Sequence, residues 1–395
     1  MIGAGVFAAF TPAAQTAGNG LLIGLLVAAF VAFCNATSSA QLAAVYPTSG
    51  GTYVYGRERL GHWWGFAAGW GFVVGKTASC AAMAMTFAAY AAPAGWERPV
   101  AVTAVIVIAA INYIGISRTA LATRVLVVIV LVSLAIVVAA GASSGADPAA
   151  WSTGLVSSGW YGIFQSAGLL FFAFAGYARV ATLGEEVRDP VRTIPLAIVL
   201  SLSLVVVVYG IVAVTLLSAL GAADVADTPA SLDAVVAARG WDWAVPVVRV
   251  GAAAASLGAL LALMAGIGRT TLAMAREREV PHWLSAVHPK FRVPHRAEVL
   301  VAAVVCVLLL FADLRGAIGF SSFGVLLYYF IANLAAFTQP REDRRYPRVL
   351  QVFGALACIV LMVTLPAASV LIGCGVLAAG FGLRLLSVRS QRRRT

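Results

Sequence analysis

The sequence predicts an all-α integral membrane protein, and three observations carry that reading. Of 395 residues, 61% are hydrophobic and 11% charged, with mean hydropathy +0.93, whereas soluble domains run nearer ~45–50% apolar and ~25% charged. The apolar residues gather into runs long enough to cross roughly 30 Å of bilayer hydrocarbon as helix. The 27 Lys and Arg, against 16 Asp and Glu, fall between those runs with a strong bias to alternate loops. Membrane insertion imposes that pattern, and binding to nucleic acid does not.

Runs bounded by charge, Gly/Pro clusters or Trp/Tyr occupy 20–44, 65–92, 99–116, 120–141, 159–184, 193–220, 244–268, 297–314, 317–338, 348–365 and 367–386. Ahead of them, residues 2–16 reach only about 22 Å as helix and contain Gly3, Gly5 and Pro12. This stretch reads as the second part of an interrupted span 1, and the eleven full runs are then spans 2 to 12. An upstream extension of about 10–15 apolar residues would complete span 1 to membrane length. Met1 is followed at once by apolar sequence without a basic region or cleavage site, so no signal peptide is expected.

If span 1 leaves the cytoplasm, the alternating loops place only Arg98, Arg239, Arg249 and Arg315 outside and leave Lys76 and Arg179 within the membrane. The other cations fall on the cytoplasmic side, which gives a multi-pass plasma-membrane protein with a cytoplasmic C-terminus. The basic tail 387–395 reads as an anchor against anionic lipid. Cys34, Cys80, Cys306, Cys358 and Cys374 lie singly inside apolar runs, so neither a disulfide framework nor a zinc site is implied. No cofactor or metal is expected, and the four histidines fall in or beside cytoplasmic loops without ligand spacing.

Two spans are interrupted at corresponding places. Span 1 holds Gly3-Ala4-Gly5-Val6-Phe7, and span 6 holds Phe172-Ala173-Phe174-Ala175-Gly176-Tyr177. Unwound backbone at membrane depth is tolerated where the freed N–H and C=O groups line a cavity or meet a ligand. Breaks in the first helix of each of two five-helix repeats point to the substrate site of a secondary transporter. The competing reading is close helix packing through small residues.

Four stretches together resemble the amino acid-polyamine-organocation (APC) superfamily of permeases, from residue 1 to the last spans. They are Ile2 to Phe7; Ala40 to Tyr53 (AQLAAVYPTSGGTY); Phe171 to Tyr177 with Glu185-Glu186-Val187-Arg188-Asp189-Pro190 and Arg192-Thr193-Ile194-Pro195; and Arg269 to Glu277 with Val280-Pro281 and His288-Pro289. The resemblance implies a LeuT-like 5+5 inverted repeat with two additional C-terminal helices, twelve spans in all. Residues 1–141 would then be the first repeat, 159–338 the second, and 346–386 the appended pair. Amides of the outer half of span 1, at Ala4, Gly5 and Val6, would hold a substrate carboxylate at a helix N-terminus, with Gly3 also in the substrate site. Unwound carbonyls at Phe172, Ala173 and Ala175 would take the ammonium, Gly176 and Tyr177 would complete the substrate site, and Phe172 would lid the ligand; its alternative role is that of an ordinary core aromatic.

Relatives with cationic substrates place an acid at positions matched here by Gly75 and Ala178, and neither is acidic. The nearby membrane charges are Lys76 and Arg179, which would repel arginine, lysine and polyamines, so neutral amino acids are expected, with acidic ones second. Lys76 lies about 17 Å along its span from Gly65, too deep to snorkel comfortably. A charged lysine there costs roughly 2.5–3.5 kcal/mol. It reads as a proton-binding residue coupling H+ to substrate, or as a structural lysine bonded to carbonyls of an opened helix. Proton-coupled relatives carry such a lysine in span 5, where this chain has Val130.

Glu185 and Glu186 read as solvated ion-pairing groups at a helix end, or as an inner gate that pairs with Arg57 or Arg59. The rival class is a polytopic membrane enzyme such as a lipid or prenyl transferase, but the acidic metal-binding clusters that class needs are missing from the sequence. A channel lacks its repeated filter or charged ring. A non-transporting truncated paralogue is the remaining alternative.

Overall fold

The computed structural model describes residues 2–46, 50–115, 120–143, 151–176 and 190–392, and every regular element among them is helical. This follows from the apolar runs, because a backbone in hydrocarbon must satisfy its own N–H and C=O groups. Span 1 is α1 (Gly5–Ala8) and α2 (Phe10–Ala17), and span 2 is α3 (Leu21–Val45). Between α2 and α3 the backbone leaves helical geometry at Gly18 (φ 53°, ψ −131°). A short α4 (Thr52–Leu60) precedes α5 (His62–Ala91), the third span. Then come α6 (Glu97–Tyr113), α7 (Ala120–Ala142), α8 (Gly159–Phe174) and α9 (Pro190–Asp227). The chain continues through a short α10 (Ser231–Ala238), then α11 (Val245–Arg276), α12 (His295–Phe311), α13 (Leu314–Phe337), α14 (Arg348–Thr364) and α15 (Ala367–Arg392).

Among the described residues, seven stretches are long and apolar enough to cross a membrane: Phe10–Val45, His62–Ala91, Thr123–Ala142, Thr193–Asp227, Asp242–Arg276, Leu314–Phe337 and Ala367–Leu385. The helices α8 and α14 are shorter apolar ones. The chain is a multi-pass membrane protein. Several boundaries differ from the sequence reading: the helix expected over 193–220 runs from Pro190 to Asp227 with a break at Gly221 (φ 79°, ψ 162°), and the one expected over 367–386 continues to Arg392. The helix expected over 159–184 ends at Phe174, and the one expected over 244–268 continues to Arg276, because residues 269–276 carry no Gly or Pro to stop it.

Among the described residues the helices pack around two large apolar cores and two small ones. One of the large cores is built from α1 to α3, α8, α9 and α13, and includes Phe7, Phe10, Phe171, Phe174, Tyr209 and Tyr329. The other joins α5, α6, α11 and α12 through Cys80, Ala84, Val105, Ile108, Leu260, Met264, Val301 and Val305. The bridge between them is α5, which packs most extensively against α13 and α11. That contact is close because of Gly71 and Gly75 on one helix and Gly324 on the other. A Cβ on Gly324 would sit 2.5 Å from the Gly71 carbonyl oxygen, and one on Gly75 would sit 3.1 Å from the Gly324 Cα. With a small residue at each turn of the interface, the backbones approach without side chains between them.

Candidate functional site

At the start of the chain, α1 and α2 form one nearly continuous helical path. The Phe7 N–H donates to the Ala4 carbonyl at 3.0 Å, the Ala9 N–H to Gly5 at 2.9 Å and the Ala13 N–H to Ala9 at 3.2 Å. The amides of Ala4, Gly5 and Val6 stand ahead of that ladder, where a helix has donors without intrahelical partners. Ala4, Gly5 and Val6 are buried, and Gly3 is half-buried.

This segment is pressed against α8. A Cβ on Gly5 would lie 2.5 Å from the Ala173 Cα and 2.6 Å from its Cβ, so only a glycine permits the approach. The structure therefore brings Gly5 and Ala173 together. It places the interruption of α8 later than expected: Phe172 and Ala173 are still in the last helical turn, and the backbone departs at Ala175 and Gly176. Carbonyls at a helix C-terminus are available to outside donors, and side chains from other helices reach two of those at the end of α8. The Tyr209 hydroxyl on α9 donates to the Ala173 carbonyl at 3.3 Å, and the Lys76 ammonium on α5 donates to the Ala175 carbonyl at 3.4 Å. Phe172 is buried. Tyr177, Ala178, Arg179, Glu185 and Glu186 lie outside the described residues.

Lys76 is 6% exposed, and it forms no ion pair with a carboxylate among the described residues. One turn along α5, Ser79 and Ser321 of α13 share a 2.5 Å hydrogen bond. A buried cation therefore sits where α5, α8 and α13 converge, and its hydrogen bond among the described residues is one long contact to the end of a helix.

Arg57 and Arg59, expected to meet Glu185 or Glu186, have other partners. Arg57 pairs with Glu277 at 2.7 Å and reaches the Tyr53 hydroxyl at 3.5 Å. Arg59 is bonded to the Thr338 side chain and carbonyl, beyond the end of α13. Beside Arg57, Arg384 of α15 pairs with Glu279 at 3.0 Å, donates to the His62 carbonyl at 2.8 Å and lies over the rings of Trp63 and Phe66 at 4.6 and 4.7 Å. Burial pushes the Glu279 carboxyl up from its ordinary range, against the lowering pull of Arg384 and Arg57.

Sequence reasoning missed several residues that fix the site. The Tyr90 hydroxyl donates to the Phe7 carbonyl at 3.3 Å, accepts from the Leu232 N–H at 3.4 Å, and its ring meets Phe7 edge-on. Tyr209 contacts the rings of both Phe10 and Phe174, which links the two interrupted helices. The Asn333 amide donates to Asn35 Oδ1 at 2.6 Å and to the Tyr329 carbonyl at 2.9 Å, and its oxygen accepts from Ser38 at 2.6 Å. The signal available in the sequence was a polar group inside an apolar run, which requires a partner.

A family model described as amino acid permease matches residues 1–383. The chain is 56% identical to an uncharacterized transporter of Mycobacterium tuberculosis, over 99% of this chain and 90% of that protein. It is 30% identical to cationic amino acid transporter 7, chloroplastic, of Arabidopsis thaliana, over 88% of this chain and 64% of that one. It is 26% identical to the branched-chain amino acid permease BcaP of Bacillus subtilis, over 90% and 81%.

Proposed function

The chain belongs to the amino acid permease family, as a transporter and not an enzyme, and from that premise we propose that it is a secondary active transporter of neutral amino acids working by alternating access. Its helices would follow the LeuT-like plan of two inverted five-helix repeats, with α14 and α15 appended. The substrate carboxylate would sit at the first-turn amides of Gly3 to Val6, and the ammonium would sit among the carbonyls at the end of α8.

The observation that carries the reading is Lys76. Its ammonium is buried at the end of α8, close in the fold to where Gly5 abuts Ala173. A fixed cation at that place disfavours a cationic side chain in the substrate by like-charge repulsion, which is strong where water is excluded. The name of the Arabidopsis relative speaks of cationic amino acids and that of the Bacillus relative of branched-chain ones. For this chain, Lys76 favours the uncharged class. The same cation supports coupling to H+, since an amine that loses its proton would release the Ala175 carbonyl as the helices move. Because no ion pair of Lys76 with a carboxylate occurs among the described residues, acidic amino acids are the second reading.

Counterflow of a labelled amino-acid panel into proteoliposomes tests both. Saturable exchange competed best by uncharged amino acids is expected. Glutamate competing best would favour the second reading, and arginine competing best would overturn the charge argument. Uptake by Lys76→Ala with the wild-type pH profile would remove Lys76 from coupling.

A further inference from the structure

Three arginines from separate parts of the chain meet at the C-terminal end of α13. Arg59, on α4, donates from Nε to the Thr338 hydroxyl at 3.3 Å and from Nη2 to the Thr338 carbonyl. Arg344 donates from Nη2 to the Gln339 carbonyl at 3.1 Å. Arg348, the first residue of α14, lies over the Phe337 ring at 4.9 Å. Phe337, Thr338 and Gln339 are consecutive, so the three guanidiniums gather around a backbone stretch no more than about 8 Å long. The loop that brings two of them there is fixed from α3. The N–H groups of Arg345 and Tyr346 donate to Gln41 Oε1 at 3.3 and 3.2 Å, and the amide of buried Gln41 donates to the Ala336 carbonyl at 3.2 Å.

A helix C-terminus carries about half a negative charge, which one arginine already answers and three exceed. Among the described residues none of Arg59, Arg344 and Arg348 pairs with a carboxylate, although Glu58 stands beside Arg59 and Glu342 and Asp343 precede Arg344. Arg348 opens a helix whose first turn has no side-chain cap, so the amides of that turn add positive potential at the same place. The charge is accessible, since Arg348 is exposed and Arg59 and Arg344 are half-buried. Next to Arg348 the outer face of α14 is apolar. Val349, Val352, Phe353 and Leu356 are exposed at 60%, 44%, 52% and 56%, and their i, i+3, i+4, i+7 spacing makes one stripe along the helix. Such a stripe belongs against acyl chains, and the arginines at its end mark the level of the headgroups.

We propose that the adjoining ends of α4, α13 and α14 form a binding site for an anionic phospholipid. Its phosphate oxygens accept from Arg348 and from the remaining guanidinium N–H groups of Arg59 and Arg344, and its acyl chains lie along Val349, Val352, Phe353 and Leu356. A zwitterionic lipid has the same phosphate but brings a cationic amine up to three arginines, which disfavours it. The sequence reading places this end of the helices in the cytoplasm, the side on which anionic lipids attract basic segments. About 24 Å of helix separates Phe337 from Ser321, near Lys76, so the site does not depend on the transport reading.

The test is native mass spectrometry of the full-length protein released from bilayers of equal phosphatidylglycerol, phosphatidylethanolamine and phosphatidylcholine with matched acyl chains. The wild-type protein is expected to keep phosphatidylglycerol in preference to the other two, and excess inorganic phosphate should not displace it. Arg348→Gln leaves the bonds to Thr338 and Gln339 in place and should lower that retention about fivefold, the share of one basic residue at an anionic surface. Lys290→Gln combined with Arg296→Gln removes more charge from another loop and should leave retention unchanged. Equal retention of the three headgroups by the wild type overturns the proposal, as does undiminished phosphatidylglycerol retention by Arg348→Gln. Release by inorganic phosphate, or an equal fall in the Lys290 and Arg296 control, overturns it too, the first by showing a free-anion site and the second a mere effect of net charge.

Discussion

The contact between Gly5 and Ala173 makes a demanding prediction. In Gly5→Ala the new methyl would fall 2.5 Å from the Ala173 Cα and 2.6 Å from its Cβ, where carbon atoms normally rest about 3.5–4.0 Å apart. The nearer neighbour is backbone, so no rotamer change relieves it, and α1 must move from α8 by about 1 Å or more. Overpacking of this kind costs about 1–3 kcal/mol. If closing α1 against α8 is a step of the transport cycle, that cost lowers the population of the closed form by roughly 5–150-fold. Initial rates of counterflow in proteoliposomes should fall at least about fivefold, with folded yield checked by size-exclusion chromatography. Gly266→Ala on α11 is the matched control, because a Cβ there meets nothing within 4 Å. Pairing Gly5→Ala with Ala173→Gly should not restore transport, since the Ala173 Cα remains in the way. A Gly5→Ala protein that transports at the wild-type rate would show that the contact plays no part in the cycle.

Arg384→Leu should destabilise the fold by about 3–5 kcal/mol, because it removes the ion-pair partner of buried Glu279 and leaves only Tyr53 and the more distant Arg57 to offset its charge. Burial already raises that carboxyl with Arg384 present, and an acid raised in the folded state loses stability as pH climbs from its unfolded value through its folded one. The thermal shift relative to wild type should therefore be smaller at pH 5 than at pH 8, and Glu279→Leu added to Arg384→Leu should recover much of it at pH 8; an equal shift at both pH values would refute the assignment. Asn333→Leu should cost about 1–3 kcal/mol for each buried partner left without a bond, and a loss below about 0.5 kcal/mol in denaturant unfolding would contradict the network drawn from Asn35, Ser38 and Asn333. Tyr90→Phe keeps the ring against Phe7 and removes the hydroxyl, so it should lower stability by about 0.5–1.5 kcal/mol. Lys76→Met should turn arginine from a non-competitor into a competitor in the counterflow panel; arginine excluded equally by both proteins would detach selectivity from Lys76.

The spans were legible because membrane insertion writes them in a coarse code. Length and apolarity locate α3, α5, α7 and α13 to within a few residues, and no side-chain detail is needed for that. The short helices α4 and α10 escaped the same test, since each is under ten residues and neither needs to be uniformly apolar. The interruption of α8 was visible as a cluster of small residues, but its register was not. Which carbonyls stand free at Phe172, Ala173 or Ala175 depends on what other helices bring to them, and the donors Tyr209 and Lys76 come from α9 and α5. Arg57 shows the same limit. Its charge and loop were plain in the sequence, whereas its partner depends on how the turn after α11 folds back on α4, and that turn presents Glu277.

Two cations show why burial alone does not assign a role. Arg384 and Lys76 are 7% and 6% exposed, and the same desolvation argument applies to both. Arg384 answers it completely, with a carboxylate at 3.0 Å, a carbonyl at 2.8 Å and two aromatic faces. A charge so fully matched joins α15 to α5 and to the turn after α11, and it has nothing left to offer a ligand. Among the described residues Lys76 has one carbonyl at 3.4 Å, which falls far short of the hydration an ammonium gives up. The sequence reading ranked Lys76 by its depth and counted Arg384 among the loop charges. Their partner sets among the described residues reverse the simpler expectation, making the arginine a structural brace and leaving the lysine the less matched of the two, at the helix end that the proposed function assigns to the substrate.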